Sequence, residues 1–135
     1  MNGETGLEDL AVKPRDLPTL PHHREETLPS TYGPRRQWMG SEMVPGADLF
    51  ITSRTVQHLE AGAEPNVADH SHPVGQTYLF FGEPGALAVE VTVDGETRLL
   101  TSPAAVFIPA NRRHRLQLVQ GNGTVVAILG EGSYR

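Results

Sequence analysis

A period-two alternation closed by a two-residue turn constrains this fold more than any other feature of the sequence. Residues 86–93, AlaLeuAlaValGluValThrVal, put Leu87, Val89, Val91 and Val93 on one face of an extended chain and Glu90 on the other, because successive strand side chains point to opposite sides. Asp94-Gly95 follows, the dipeptide favoured by type I′ hairpins, and GluThrArgLeuLeu returns as the partner strand. The same pattern recurs along the chain. Residues 48–59, 77–81, 104–108 and 114–119 read as strands, and the Gly-Asn-Gly at 121–123 is expected to turn the chain back into a last strand over 124–129. No window beyond Arg36 carries a helical apolar period. Short strands joined by Gly, Asn and Asp turns specify a sandwich or jelly roll.

Residues 1–35 differ from the rest. Prolines at positions 14, 18, 21, 29 and 34 break helices there and deny strands their donors. This stretch reads as an extended arm, either loose or laid across the domain or a partner subunit. Residues 36–135 then form one β-barrel domain, and 135 residues in all suit a single core.

Composition removes several functions. A formal net charge of −5 argues against nucleic acid or an anionic membrane as partner, since both require a basic face. No apolar run approaches the roughly 18 residues of a membrane helix, and the N-terminus lacks a signal-peptide pattern. A soluble cytoplasmic protein is expected. The absence of cysteine excludes disulfides, thiolate metal sites and cysteine nucleophiles. A transition metal would have to be held by imidazole, carboxylate or amide groups.

Three of the six histidines fall in two spaced clusters. In Asp69-His70-Ser71-His72, the two histidines are two residues apart, so an extended chain aims both to one side. His114 shares phase with Leu116 and Leu118, while Arg115 and Gln117 share the other. If the leucines face the core, so does the histidine, and an inward imidazole needs a partner. A lone inward histidine is usually a hydrogen-bonded core residue, and an isolated His-x-His arises often by chance. The combination, set in a β-barrel pattern, points to a metal.

HisSerHisProValGlyGlnThrTyrLeuPhePheGly resembles the first motif of the cupins, in which His-x-His is followed by Glu and then glycine. ValPheIleProAlaAsnArgArgHis resembles the second, a strand followed by Pro-x-Gly-x-x-His. The resemblance spans roughly residues 50–130. It implies an all-β cupin double-stranded β-helix, a jelly-roll barrel, with one divalent metal ion on His70, His72, Gln76 and His114. Two departures stand out. Gln76 replaces the usual glutamate, and Asn111 replaces the motif glycine, a substitution that asparagine's tolerance of positive φ accommodates.

Three imidazoles and an amide would leave the ion's double charge uncompensated, making a weaker site but a stronger Lewis acid. That favours enolate chemistry with Zn²⁺ foremost; Fe²⁺, Mn²⁺, Co²⁺ and Ni²⁺ are the alternatives. A His-His-Gln-His set resembles small non-oxidative cupins of antibiotic pathways, above all bacterial aromatic polyketide cyclases of the resistomycin type. The implied activity is enolisation and aldol-type ring closure of a poly-β-ketone. An Fe²⁺-dependent dioxygenase, a metal-dependent isomerase on a small oxygenated substrate, and a non-enzymatic binding module are the competing readings.

Tyr78 and Phe80 share phase with Gln76, so they and Leu116 are candidates to contact a small-molecule substrate, with ordinary core as the rival role. No catalytic group beyond the metal centre is identifiable. His22 and His23 lie on the arm and are surface residues unless the arm brings one to the metal as an extra ligand or proton carrier; His58 lies on a strand of undetermined facing, with catalytic base as its alternative role. Trp38 suits either the barrel mouth or a dimer contact, and Arg112-Arg113 reads as a solvated loop. A homodimer is expected.

Overall fold

A computed structural model of the chain describes residues 6–17, 32–60 and 69–134. A four-residue helix, α1 (Leu7–Leu10), precedes eight strands: β1 (Arg15–Asp16), β2 (Arg36–Met39), β3 (Phe50–Leu59), β4 (Gln76–Phe81), β5 (Leu87–Val93), β6 (Glu96–Thr101), β7 (Ala104–Ile108) and β8 (His114–Leu129). Among the described residues no helix is long and apolar enough to cross a membrane. Every named strand pairing is antiparallel.

The strand β8 organises the sheet. Its first half pairs with β5, from His114↔Val93 to Gly121↔Leu87. Its second half lies between β3 and β4, with Leu129 opposite both Phe50 and Gln76. β7 extends the β4 side, β6 extends β5, and β1 and β2 extend β3. The arms enclose one apolar cluster, in which Val56, Phe80, Leu87, Val89 and Ile108 are essentially inaccessible to water. Burial of such side chains is the main favourable term for a domain of this kind.

The hairpin at Asp94-Gly95 forms as its sequence dictates. Both residues have positive φ, 49° and 85°, and Val93 pairs directly with Glu96. This is the backbone of a two-residue I′ loop. Leu87, Val89 and Val91 are buried and Glu90 is exposed, as the alternation requires, but Val93 is only partly buried, and Ala88 and Thr92 on the opposite face are buried too.

Gly121-Asn122-Gly123 does not reverse the chain. β8 continues through it as one strand, and the glycines mark the corner where β8 changes partners. At Gly121, φ is 105°, and a Cβ would meet the Ala86 carbonyl oxygen, which also accepts from Asn122 N. At Gly123, a Cβ would lie 2.5 Å from the Phe81 carbonyl oxygen. The local signal, two glycines around an asparagine, is the same for a tight turn and for a corner that needs close backbone approach.

Gly85 separates the two demands on these glycines, because it has φ 76° but open space around it. Gly85→Ala should cost about 1–2 kcal/mol, the penalty for a left-handed non-glycine residue. Gly121→Ala should cost at least about 1 kcal/mol more, since the backbone must also move. Urea denaturation of the two variants measures the difference; equal losses would show that close approach at the corner carries no cost.

Candidate metal centre and cavity

The two histidine segments are joined through their backbones. His70 N donates to the His114 carbonyl at 3.0 Å and His114 N donates to the His70 carbonyl at 2.7 Å. This reciprocal pair is one rung of an antiparallel ladder outside the named strands. Asn111 N donates to the His72 carbonyl at 2.7 Å. Asn111 has φ 67°, so asparagine takes the left-handed position that its short polar side chain tolerates. His70 and His72 flank an exposed Ser71 in a segment that is extended without being a regular strand.

These bonds gather three buried side chains. The candidate ligand atoms of His70, His72 and His114 lie within 4.8 Å of one another. Ring centroids are 4.6 Å apart for His70 and His114, 4.8 Å for His70 and His72, and 5.3 Å for His72 and His114.

The hydrogen bonds around His114 determine what the cluster can hold. Its Nδ1 lies 2.9 Å from the Arg112 carbonyl oxygen. A carbonyl only accepts, so Nδ1 carries the hydrogen and Nε2 of the neutral ring presents a lone pair. That Nε2 is 2.9 Å from Gln76 Oε1. The Gln76 amide turns its carbonyl oxygen, an acceptor, toward this nitrogen. Two lone pairs thus converge, and they repel unless a positive charge stands by both. A proton on His114 is the poorer solution, because burial pushes its pKa below the ordinary histidine value. The donor set fits a divalent cation.

A cavity opens beside this cluster, lined by residues of β3, β4 and β8 and by Tyr32, Arg35 and Tyr134. Gln76 and Tyr134 link the two regions. Both line the cavity, and the Tyr134 hydroxyl is 3.4 Å from His70 Nε2 while its ring packs edge-on against His72. Burial pushes the Tyr134 phenol up to about 12, and raises Tyr78 as well, so both are neutral hydroxyls near neutral pH.

The structure divides the candidate substrate contacts. Tyr78 and Leu116 line the cavity. Phe80 does not; it is 1% exposed in the core cluster and stacks on Tyr78. His58 is exposed at φ 54°, with its backbone N–H bonded to Asn122 Oδ1, outside both the cluster and the cavity lining. His22 and His23 lie outside the described residues. Trp38 is half-exposed, its indole N–H donating to Ser53 Oγ at 2.7 Å.

The lining residues that sequence reasoning did not single out include Tyr32, Arg35, Arg54 and Tyr134. Arg54 had a signal. It shares strand phase with Phe50, Thr52 and Val56, all buried, so it is a charged residue on an inward face. Arg35 is the last residue of the proline-rich arm and Tyr134 ends the described chain, where no periodicity assigns a direction.

Arg112-Arg113 is more than a solvated loop. The Asp94 carboxylate at the hairpin tip accepts from Arg112 Nε and, at 3.2 Å, from Arg113 N, while Asp94 N donates to the Arg113 carbonyl at 2.8 Å. The hairpin therefore holds the loop that delivers His114.

Comparison with known proteins agrees with this architecture. No protein-family model matches the chain. The tetracenomycin polyketide synthase protein TcmJ of Streptomyces glaucescens is 28% identical over 110 residues, covering 75% of this chain and 72% of that protein. An RmlC-like cupin from Shewanella frigidimarina superposes with TM-score 0.53 at 17% identity, over 80% of this chain and 82% of that one. A cupin-like protein from Thermotoga maritima gives TM-score 0.55 at 19% identity, over 76% and 74%.

The Asp94 clamp has a defined pH dependence. The hydrogen bond from Arg112, followed by its charge and the Arg113 N–H, holds this carboxyl below its ordinary value. A depressed folded-state pKa means that the stabilisation is complete above the unfolded value and is lost as pH falls through the folded one. The stability gap between the native chain and Asp94→Asn, read by urea denaturation, should stay constant at neutral pH and close only in acid below the usual carboxylate range. A gap that closes at or above that range would show that the pair is not formed. The fold that positions the histidines is an all-β cupin jelly roll.

Proposed function

We propose that this chain is a metal-dependent aromatic polyketide cyclase, promoting enolisation and aldol-type ring closure of a poly-β-ketone. The observation that carries this reading is the convergence of His70, His72, His114 and the uncharged Gln76 at one end of a largely apolar cavity. Similarity to a polyketide synthase protein supports the substrate class. These four residues would hold a divalent ion, zinc foremost, and its chemistry there would be Lewis-acid polarisation of a substrate carbonyl, undiminished by any ligand carboxylate.

The chain's own residues do the rest. The Arg112 carbonyl fixes the His114 tautomer, so Nε2 presents its lone pair on the side where Gln76 Oε1 lies. Leu116, Leu118, Val125 and Leu129 give the cavity apolar walls that exclude water and suit a flat, partly conjugated chain. The Tyr134 hydroxyl, neutral and facing the cavity, is placed to donate to a substrate oxygen beside the histidines.

Anaerobic turnover of a poly-β-ketone, abolished by chelation and restored by zinc, is the expected result. Undiminished cyclisation by metal-free protein would sink the proposal, and stoichiometric O₂ consumption by iron-loaded protein would replace it with a dioxygenase.

Gln76→Ala removes one of the four proposed ligands and should weaken zinc binding by more than the about 10–100-fold that loss of an orienting partner costs. Gln76→Glu should bind zinc more tightly yet turn over more slowly, since the carboxylate cancels one unit of the ion's charge. Competition with a zinc chelator measures both affinities; a Gln76→Ala protein with native affinity would remove Gln76 from the ligand set.

A further inference from the structure

The sheet that carries the cavity on its inner side has an outer side without charge. Strand register sets the outward residues in rows across β3, β8, β4 and β7. Ile51, Ile128, Thr77 and Phe107 form one row, and Ser53, Val126, Leu79 and Ala105 the next. Thr55, Thr124 and Phe81 form a third. No charged side chain stands in these rows, although charged residues make up 20% of the chain. Their apolar residues lie outside the core cluster and the partly buried side chains packed on it, and Phe81 and Phe107 are 52% and 62% exposed. Trp38, 45% exposed, extends the face over β2 through its bond to Ser53. The rim is polar, with Arg36 at the β2 end of the second row and Asp16 4.0 Å from it. Residues 78–81, 104–108 and 125–129 are almost unbroken apolar runs, the composition of strands covered on both faces. The other sheet supplies the contrast. Where β8 runs beside β5, Gln117 stands opposite the exposed Glu90, and Arg115 follows in the same phase.

We propose that this outer face is the interface between two copies of the chain, packed sheet against sheet. Nothing in it involves the metal centre, since Gln76, Tyr78 and Leu129 occupy the inward phase of the same strands. Charge selects the occupant. Each copy carries −5, so two copies approach most readily where neither presents a charge, and this face meets that condition. A different protein is steered and selected largely by complementary charge, which the face lacks. Area agrees. Five strands about 4.8 Å apart, and three rows each about 7 Å deep, make a face of roughly 500 Å². Two copies then bury about 1,000 Å², the size at which a specific interface is expected to hold. Antiparallel sheets meet in this way in β-sandwiches, about 10 Å apart.

Sedimentation velocity of the full chain over a concentration series provides the test. The native chain should sediment as a dimer at micromolar concentration. Phe107→Glu should raise the dimer dissociation constant at least about 30-fold, the effect of losing an anchor near the middle of an interface. Phe81→Glu makes the same measurement on β4 if Phe107→Glu fails to fold by thermal melting. Leu99→Glu lies on β6 at 59% exposure and introduces the same charge away from the face. It should leave the constant within about twofold. Added salt should leave the native dimer intact or tighten it, because salt screens the repulsion between like-charged copies. A monomeric native chain overturns the proposal and gives the face to a different partner. A dimer indifferent to Phe107→Glu and Phe81→Glu, or weakened as much by Leu99→Glu, overturns the assignment to this face. A dimer that salt dissolves overturns it too, since such a dimer is held by ion pairs.

Discussion

The two backbone hydrogen bonds exchanged by His70 and His114 are the contact on which the site depends. These residues are far apart in sequence, yet one antiparallel rung sets them face to face. Each strand pairing fixes side-chain direction as well as position, so a rung with both histidines inward also directs His72. The Asn111–His72 bond and the Asp94 clamp secure the same junction from the loop side. Main-chain bonds place the imidazoles, and the placement does not rely on the imidazoles' own interactions.

From that junction the chemistry follows by lone-pair bookkeeping. The Arg112 carbonyl uses one nitrogen of His114. The other nitrogen faces Gln76 Oε1, acceptor toward acceptor, an arrangement that suits a cation. A glutamate in place of Gln76 would bring charge to the centre and lessen the ion's pull on a carbonyl. Gln76 belongs to this junction and also to the wall of the cavity, where Leu116, Leu118, Val125 and Leu129 supply apolar surface.

The rest of the fold brings these parts together through β8. One strand that changes partners at a glycine corner belongs to both halves of the molecule, contributing His114 at one end and Leu129, opposite Gln76, at the other. Without Gly121 and Gly123 the strand could not pass as close to the Ala86 and Phe81 carbonyls as it does. The corner therefore sets the distance between the histidine junction and the cavity wall.

The sequence by itself determined β3 to β7 and both stretches of β8, though not β1 or β2, and with them the I′ hairpin, the inward phase of His114 and the pairing of His70 with His72, because alternation and turn chemistry act over a few residues. It also showed that Gln76 was unusual. Only the tertiary structure decided that Gly121-Asn122-Gly123 is a corner, since a turn and a close approach call for the same residues. It likewise placed Phe80 in the core rather than in the cavity, which depends on strand packing across the molecule. Arg35, Arg54 and Tyr134 became site residues only when distant segments met. The inward phase of Arg54 was legible in β3, but its neighbours were not, because an environment is made by residues that no local pattern connects.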